Sequence, residues 1–357
     1  MTFFSIKSPA FWVWFVFCAF GVYHNVPLIT SSLSDGGIYG AGALLFAGLI
    51  VFPITMFLRW LDVLDQEPMQ NVLAALIWGG LAATAAAAFA NDALVSLLGN
   101  VVSEDSGWQA AVIAPATEEI LKVLVVVLLI VGARKDIHGI MDGVIYGAFA
   151  GLGFEVVENL LYYFNWLQAG IEQGAGPTSG LDVLAARTYF ALTGSHVAWT
   201  ALVGAVVLYA AHYTREPLLR RVGVLCGGLL AAGVLHAFWN SPLLEELPDT
   251  LYILRGLPTL LTFLFLLRWT ASHENELLVK VTKTLPKGLI SLKEGQDLVG
   301  PLQRLRQAAS RMRMPEKQRK RAIGLRNAQL ALVRAVILDY PKSVVAARIR
   351  AVKASRT

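Results

Sequence analysis

Long apolar blocks, separated from one another by short polar stretches, dominate the first 270 residues of the chain. Each block has the length of an α-helix that crosses a bilayer, which takes about 20 residues. The predicted spans are residues 9–30, 37–58, 71–98, 109–132, 139–164, 187–212, 220–240 and 250–269. We therefore predict an all-α, polytopic membrane helix bundle with about eight transmembrane helices.

Composition supports this class of protein. Hydrophobic residues make up 56% of the chain and charged residues 15%, whereas about a quarter of a soluble domain is charged. Cys18 and Cys226 both lie inside apolar blocks, so neither a disulfide framework nor a thiolate metal site is predicted. The apolar run after Lys7 has no small-residue cleavage site, which favours a first transmembrane helix over a signal peptide.

Charge is unevenly distributed. Lysines and arginines recur at alternate span ends, which places both termini in the cytoplasm by the positive-inside rule. Residues 271–357 contain 19 lysines and arginines against 6 aspartates and glutamates. We predict a transmembrane domain at 1–270 and a basic cytoplasmic tail at 271–357, made of short amphipathic helices. The tail is expected to meet anionic lipid headgroups, with a partner-binding module as the alternative, and no nucleic-acid motif is present.

Four predicted spans carry ionisable or amide side chains, which at membrane depth normally face a cavity or one another. Within each span they follow the spacing of one helix face. The clusters are Glu118, Glu119 and Lys122; Glu155, Glu158 and Asn159; His196, Trp199 and Thr200; and His236, Trp239 and Asn240. Counted from the span ends, all four clusters lie at a similar depth in the outer half of the bilayer. The sequence therefore predicts that four helices turn their polar faces into one site.

Each of these residues also has a purely structural interpretation. Lys122 could form only an internal ion pair, and His196 could be a hydrogen-bonded histidine of the bundle. Arg187 could be an interfacial anchor or a group that meets a substrate carbonyl. Glycines at every fourth position from Gly139 to Gly151 favour close helix packing. The joint occurrence of so many ionisable groups at one depth nevertheless favours a functional site.

Glutamates and histidines without a suited serine or thiol nucleophile favour activation of a water molecule. Ser195 and His196 are adjacent, so they point about 100° apart on a helix, and neither GxSxG nor HExxH occurs. A carboxylate removed from water can act as a general base. Alternatively, glutamate and histidine can bind Zn²⁺. Imidazole and amide groups can stabilise an oxyanion. Both routes are hydrolytic, and the apolar surroundings indicate a membrane peptide substrate.

Several segments resemble motifs of the PrsW family of intramembrane proteases. Residues 114–122 (APATEEILK) resemble its EExxK motif, residues 154–159 (FEVVEN) its FExxEN motif, and residues 195–200 (SHVAWT) and 236–240 (HAFWN) its two histidine motifs. Residues 65–68 (DQEP) resemble a further feature of the family before the third span. The resemblance covers residues 60–241 and does not include the tail.

The resemblance implies an intramembrane endopeptidase of the bacterial plasma membrane that hydrolyses a membrane-anchored protein, for example by site-1 cleavage of an anti-sigma factor. By similarity to the related CAAX prenyl endopeptidases, Glu118 would activate water, supported by Glu119 and Lys122. His236 and Asn240 would hold the oxyanion. The implied catalytic set is Glu118, Glu119, Glu155, Glu158, His196, His236 and Asn240, with Lys122, Asn159, Trp199, Trp239 and Arg187 in support.

The sequence leaves a metal-bound and a metal-free site as alternatives. Any metal would be held by Glu118, Glu158, His196 and His236. Glu158 stands where the CAAX enzymes have a histidine, so a Zn²⁺ site and a metal-free site are both compatible with the sequence.

Two other classes of protein remain as hypotheses. Buried glutamate, histidine and lysine also form the proton relays of a proton-coupled transporter or channel. No inverted repeat and no pair of broken helices is visible in the sequence, which counts against a transporter. The third hypothesis is a catalytically inactive scaffold or receptor that acts through its basic tail.

Overall fold

A computed structural model describes residues 3–62, 67–98, 107–174, 178–191, 195–212, 215–244, 254–299, 301–337 and 339–356. Every regular element in these ranges is helical, which confirms the predicted all-α fold. The helices are α1 (Pro9–Ser31), α2 (Gly37–Leu61), α3 (Met69–Leu98), α4 (Gln109–Gly132), α5 (Ile140–Glu172), α6 (Thr178–Ala191), α7 (Ser195–His212), α8 (Leu218–Asn240), α9 (Leu257–Thr284), α10 (Leu292–Val299), α11 (Pro301–Met312), α12 (Glu316–Ile337) and α13 (Lys342–Arg356).

Six of these helices, namely α1, α2, α3, α5, α7 and α8, are long and apolar enough to cross a membrane. Helix α4 has 24 residues, but three charged side chains interrupt its apolar sequence. The predicted sixth span divides into α6 and α7, and residues 192–194 between them lie outside the described residues. The predicted eighth span overlaps the first half of α9, and its residues 250–253 also lie outside the described part. The number of eight spans is therefore approximate.

Helix α5 is the central helix of the bundle. It is buried along most of its length and packs against α3, α4, α6 and α7. A Cβ atom added at Gly147 would lie 2.3 Å from the carbonyl oxygen of Thr200, and one at Gly151 would lie 2.1 Å from that of His196. The predicted glycine row therefore brings the backbones of α5 and α7 into direct contact. This contact fixes His196 relative to the glutamates of α5.

A π-helical segment, Trp78–Ala83, interrupts α3 and explains why the apolar pattern of the first span contains an amide. Asn25 of α1 donates through Nδ2 to the carbonyl oxygens of Gly80 and Leu81 at 3.2 and 3.3 Å, and to Thr84 Oγ1 at 2.7 Å. Backbone groups released by an irregular helix inside a membrane need a partner within the protein. Asn25 supplies that partner and so has a structural role.

The chain divides into two compact units. The first comprises Met1–Leu58 and Glu67–Phe265, and the second comprises Arg59–Gln66 and Leu266–Thr357. The predicted domain boundary after residue 270 falls inside α9, which runs through it as one continuous helix. The second unit has its own apolar core, drawn from α9, α10, α12, α13 and the turn between α9 and α10: Leu278, Val281, Leu289, Ile290, Leu298, Leu330, Leu332, Val333 and Val352.

An ion pair joins α13 to α10 within the second unit. The Arg356 guanidinium lies 2.7 and 2.8 Å from the two carboxylate oxygens of Glu294 on α10. Gln329 Nε2 donates to the same carboxylate at 3.1 Å. Burial works against the ionised form, but the backbone N–H of Ser291 and the Arg356 guanidinium lower the pKa of Glu294 to about 2. The carboxylate therefore stabilises the fold of this unit at neutral pH.

Candidate active site

Lys122 is the centre of a buried polar cluster to which α4, α5, α7 and α8 all contribute. Its Nζ atom lies 2.7 Å from Glu119 Oε1, 3.4 Å from Glu118 Oε2 and 2.6 Å from His196 Nδ1. The side chain is fully buried, at 0% exposure. An ammonium group has three hydrogen atoms to donate, and three acceptors surround this one. The positive charge is therefore compensated where an unpaired charge would be strongly unfavourable.

The contacts of His196 determine which of its ring nitrogens carries the proton. Because an ammonium group can only donate, Nδ1 of His196 accepts from Lys122. The proton then lies on Nε2, which donates to Glu158 Oε2 at 2.9 Å. The backbone N–H of His196, in the first turn of α7, donates to Glu155 Oε2 at 3.1 Å. Since N–H groups in a first turn have no partner within the helix, Glu155 caps α7.

Arg187 joins this cluster from α6. It forms an ion pair with Glu158, and its Nε donates to Asn159 Oδ1 at 2.6 Å. Its guanidinium also lies over the ring of Tyr162, 4.2 Å from the centroid. The structure thus gives Arg187 three partners on α5, which together orient the carboxylate that holds His196.

Glu119 orients the second histidine. Its Oε1 lies 3.1 Å from His236 Nδ1, and its Oε2 accepts from Thr200 at 3.2 Å. Together with Lys122, these contacts give Glu119 three donors, as suits an ionised carboxylate. The His236 ring stacks on Trp199 at 4.4 Å with an interplanar angle of 18°. Trp199 in turn donates to Thr259 Oγ1 at 3.0 Å. The His236 ring is thus positioned by Glu119 at its edge and by Trp199 at its face.

Glu118 has looser contacts than Glu119. Asn91 donates to its Oε1 at 3.3 Å, and Lys122 lies 3.4 Å from its Oε2. His236 Nε2 lies 3.9 Å from the same Oε2, which is too long for a hydrogen bond. A polar pair at this separation is suited to sharing a third molecule, such as water. Glu118 is thus the carboxylate with capacity to bind and deprotonate a reactant.

Two polar residues near Glu118 were not predicted. Asn91 of α3 contacts the carboxylate, and Thr117 Oγ1 donates to Asn91 Oδ1 at 2.5 Å. The available signal was weak, because a single amide in a long apolar block often serves helix packing alone, as Asn25 does.

Glu118, His196 and His236 could hold a metal ion. Each offers one ligand atom, these atoms all lie within 4.8 Å of one another, and all three residues are buried. One carboxylate and two imidazoles form a donor set typical of catalytic zinc, with a fourth position for water. Glu158, the fourth predicted ligand, does not belong to this group. Its carboxylate contacts Arg187 and His196 instead.

The ammonium group of Lys122 contacts two of these three donors, Glu118 and His196. A metal ion and the ammonium would therefore compete for the same atoms, because both are cations that need the lone pairs of the same oxygen and nitrogen. The donor set fits a metal on the condition that Lys122 moves away from His196 Nδ1.

Asn240 and Trp239 lie at the edge of the cluster. Asn240 is half-buried, and its Nδ2 lies 3.4 Å from the carbonyl oxygen of Ala110. Trp239 is also half-buried, and its carbonyl oxygen accepts from Arg255 Nη1 at 3.1 Å. Asn240 thus links the end of α8 to the start of α4, one helical turn beyond His236.

A second buried polar cluster contains part of the DQEP segment, of which Asp65 and Gln66 lie outside the described residues. Glu67 is buried and accepts a hydrogen bond from Tyr146 of α5. Asn71 Nδ2 donates to Tyr146 Oη at 3.3 Å and to Asp136 Oδ2 at 3.4 Å. This segment therefore fastens the start of α3 to α5.

A helix bundle of membrane-spanning length with a buried cluster of carboxylates, imidazoles and one lysine defines a class: a membrane protein with a site suited to hydrolysis inside the bilayer. Residues 67–269, more than half of the chain, match the PrsW family of intramembrane metalloproteases, and the chain belongs to this family. It is therefore a membrane-embedded peptide hydrolase, which favours the enzyme over the transporter or channel. No curated protein and no solved structure matches the chain.

Proposed function

We propose that this protein cleaves a membrane-anchored protein with a water molecule that Glu118 activates. The observation that carries the proposal is the 3.9 Å separation between Glu118 Oε2 and His236 Nε2. A water molecule between them can donate one hydrogen bond to the carboxylate and one to the imidazole. Both groups are buried, so the proton transfer takes place away from bulk solvent.

Glu119 determines how His236 acts in this proposal. It keeps the Nδ1 proton directed towards itself, so the lone pair of Nε2 faces Glu118. Water gives its proton to Glu118 as its oxygen attacks the scissile carbonyl, and Glu118 passes that proton to Nε2 of His236. The protonated His236, stabilised by Glu119, donates to the oxyanion and then transfers the proton to the leaving amine as the C–N bond breaks. Asn240, at the rim, supplies a second donor once it leaves the Ala110 carbonyl. Glu155, Glu158 and Arg187 are positioning residues that hold His196.

The same residues accommodate the metal form of the mechanism. A Zn²⁺ ion held by Glu118, His196 and His236 would polarise the scissile carbonyl and favour ionisation of a bound water. Glu119 and Glu158 would then hold the two imidazoles from their far nitrogens, as outer carboxylates commonly do at zinc sites. Glu118 is required in either form.

A groove between α4 and α8 supports a membrane-anchored substrate. It has a volume of about 470 Å³ and is lined by Ala111, Val112, Pro115, Ala116, Glu119, Ile120, Leu229, Leu230, Gly233, Val234 and Ala237. Glu119 is the one ionisable group among these lining residues. Val112, Ile120, Leu230 and Val234 expose apolar surface, which in a bilayer faces lipid. An apolar peptide segment can therefore reach the cluster directly from the lipid.

The distribution of lysines and arginines supports an orientation with both termini in the cytoplasm and the cluster in the outer half of the plasma membrane. Cleavage on that side would suit site-1 proteolysis of an anti-sigma factor, which is the substrate class that the resemblance implied.

The test is Glu118→Gln in full-length protein, reconstituted in liposomes with a membrane-anchored test substrate. The amide keeps the shape of the side chain but cannot act as a base, so turnover should fall by about a hundredfold to ten-thousandfold. Glu172→Gln is the matched control, because Glu172 lies on α5 outside the cluster and should keep wild-type turnover. Turnover of Glu118→Gln within a few-fold of wild type would overturn the assignment. Metal content and activity after chelation, measured on the same preparation, distinguish the two forms of the mechanism.

A further inference from the structure

A cleft of about 600 Å³ in the second unit is lined by five arginines. They are Arg59, Arg311, Arg319, Arg326 and Arg334, and all five are half-buried. Asp62 is the one acidic residue among the described lining residues. The rest of the lining is largely apolar and includes Trp60, Met312, Ile323 and Leu330. The cleft is thus strongly basic and partly apolar.

Among the described lining residues, five arginines stand against one aspartate. Asp62 Oδ2 lies 3.9 Å from Arg59 Nη1. Burial and the like charges of Arg311 and Arg334 hold the pKa of Arg326 below its usual range. The Nε atom of Arg326 is buried and has no hydrogen-bond partner among the described residues. Like charges that share a half-buried space repel one another unless an anion binds between them.

We propose that the arginine cleft binds a phosphate-bearing ligand, namely the headgroup of an anionic phospholipid. Guanidinium groups match phosphate geometry with paired hydrogen bonds, and several of them around one space favour a multiply contacted phosphate. The apolar lining residues suit the glycerol and first acyl carbons, which an inorganic ion does not have.

The covalent connection of the cleft to a membrane span also favours a lipid. Arg59 and Trp60 belong to the last turn of α2, one of the helices long and apolar enough to cross a membrane. This rim of the cleft therefore lies within one turn of an apolar helix, whatever the arrangement of the two units. Tryptophan and arginine at the end of a span are typical of the headgroup region. The arginines on α11 and α12 would then attach the basic tail to a lipid at a defined place.

The test compares two charge-matched double variants of the full-length protein in detergent. Arg319→Gln with Arg326→Gln removes two charges from the cleft. Arg348→Gln with Arg350→Gln removes two charges from exposed positions of α13, outside the cleft lining. The probes are short-chain phosphatidylglycerol, short-chain phosphatidylcholine and inorganic phosphate. Binding is followed as the ligand-dependent rise in melting temperature and by titration calorimetry.

The cleft variant should bind phosphatidylglycerol at least tenfold more weakly than wild type, and the α13 variant within about threefold of wild type. Phosphatidylcholine should bind weakly. Its binding should be the same in wild type and in the cleft variant. Without ligand, the cleft variant should melt no lower than wild type, because removing mutually repelling charges relieves strain. This control separates loss of binding from loss of folding.

Three results would overturn the proposal. Equal losses in both double variants would show diffuse charge attraction and no site. Inorganic phosphate binding as tightly as phosphatidylglycerol, with the same dependence on Arg319 and Arg326, would identify a soluble phosphate as the ligand. No measurable binding of either anion would show that the cleft holds no phosphate.

Discussion

Each of the two units brings charged side chains close together, but the two groups differ in their mix of charges and in their burial. In the first unit, Lys122 has two glutamates and a histidine within hydrogen-bond distance, and it is fully buried. In the second unit, five arginines share one cleft with a single aspartate, and none of the five is fully buried. The fully buried Lys122 thus has its partners within the same fold, whereas the arginines of the cleft stay partly exposed.

The difference follows from the free energy of desolvation. Removing an unpaired charge from water is unfavourable by several kcal/mol, about as much as a whole fold is stable. The membrane unit therefore surrounds the buried ammonium of Lys122 with acceptors from its own helices. The arginines of the cleft are only half-buried, so they keep part of their exposure to solvent.

The largest expected effect comes from removing the central cation. Lys122→Met should lower the stability of the membrane unit by about 3–5 kcal/mol, because the glutamates lose their buried partner. It should also abolish proteolysis. If the position is shared with a metal, Zn²⁺ should raise the melting temperature of Lys122→Met more than that of wild type, because the competing ammonium is gone.

The matched control is Lys135→Met, which removes an exposed lysine beyond the end of α4 and should change neither property. Melting of Lys122→Met at the wild-type temperature, with or without Zn²⁺, would contradict the compensated cluster. If the variant fails to fold alone, recovery of folded protein on addition of Zn²⁺ measures the same competition.

The next effect concerns the proposed oxyanion donors. His236→Ala and Asn240→Ala should each lower kcat by about a hundredfold, near 3 kcal/mol, with KM within a few-fold of wild type. For His236 the variant also removes the partner of Glu119. For Asn240 the structure offers a competing role, since its amide contacts the Ala110 carbonyl. A lower melting temperature with unchanged kcat for Asn240→Ala would assign it to helix packing.

The smallest effect concerns the second unit at low pH. The pKa of Glu294 is about 2 in the folded protein, below its ordinary value of 4.5. A depressed pKa contributes stability that is complete above pH 4.5 and is lost as pH falls towards 2. Amides of α12 and α13 should therefore lose exchange protection over this interval, after correction for the intrinsic rate. In Glu294→Gln this pH-dependent loss should disappear, and persistence of the full loss in the variant would show that another group is responsible.

Much of the helical framework was accessible from the sequence. The apolar blocks predicted the long helices, and the i, i+3, i+4 spacing predicted which polar side chains share a face. The glycine row before Glu155 indicated close packing of α5, and the structure shows α7 as the helix that it meets. Lys122 beside Glu118 and Glu119 follows directly from helix geometry, since all three lie on α4.

The sequence did not predict the contacts between helices. Nothing in the spacing of α5 and α6 pairs Glu158 with Arg187, which are 29 positions apart, and nothing indicated that Asn91 of α3 reaches Glu118. The π-helical segment of α3 was also missed, because hydropathy is insensitive to a local change of helical pitch.

By itself, then, the sequence determined the local features of this protein: where apolar helices form, which face of each is polar, and which part of the chain is basic. These depend on interactions within one or two helical turns. Only the tertiary structure decided that Lys122 lies against His196, that Glu119 holds His236 while Glu118 faces it across a wider separation, and that five arginines converge on one cleft. Those arrangements depend on the rotation of each helix about its axis, which is set by packing between residues far apart in the chain.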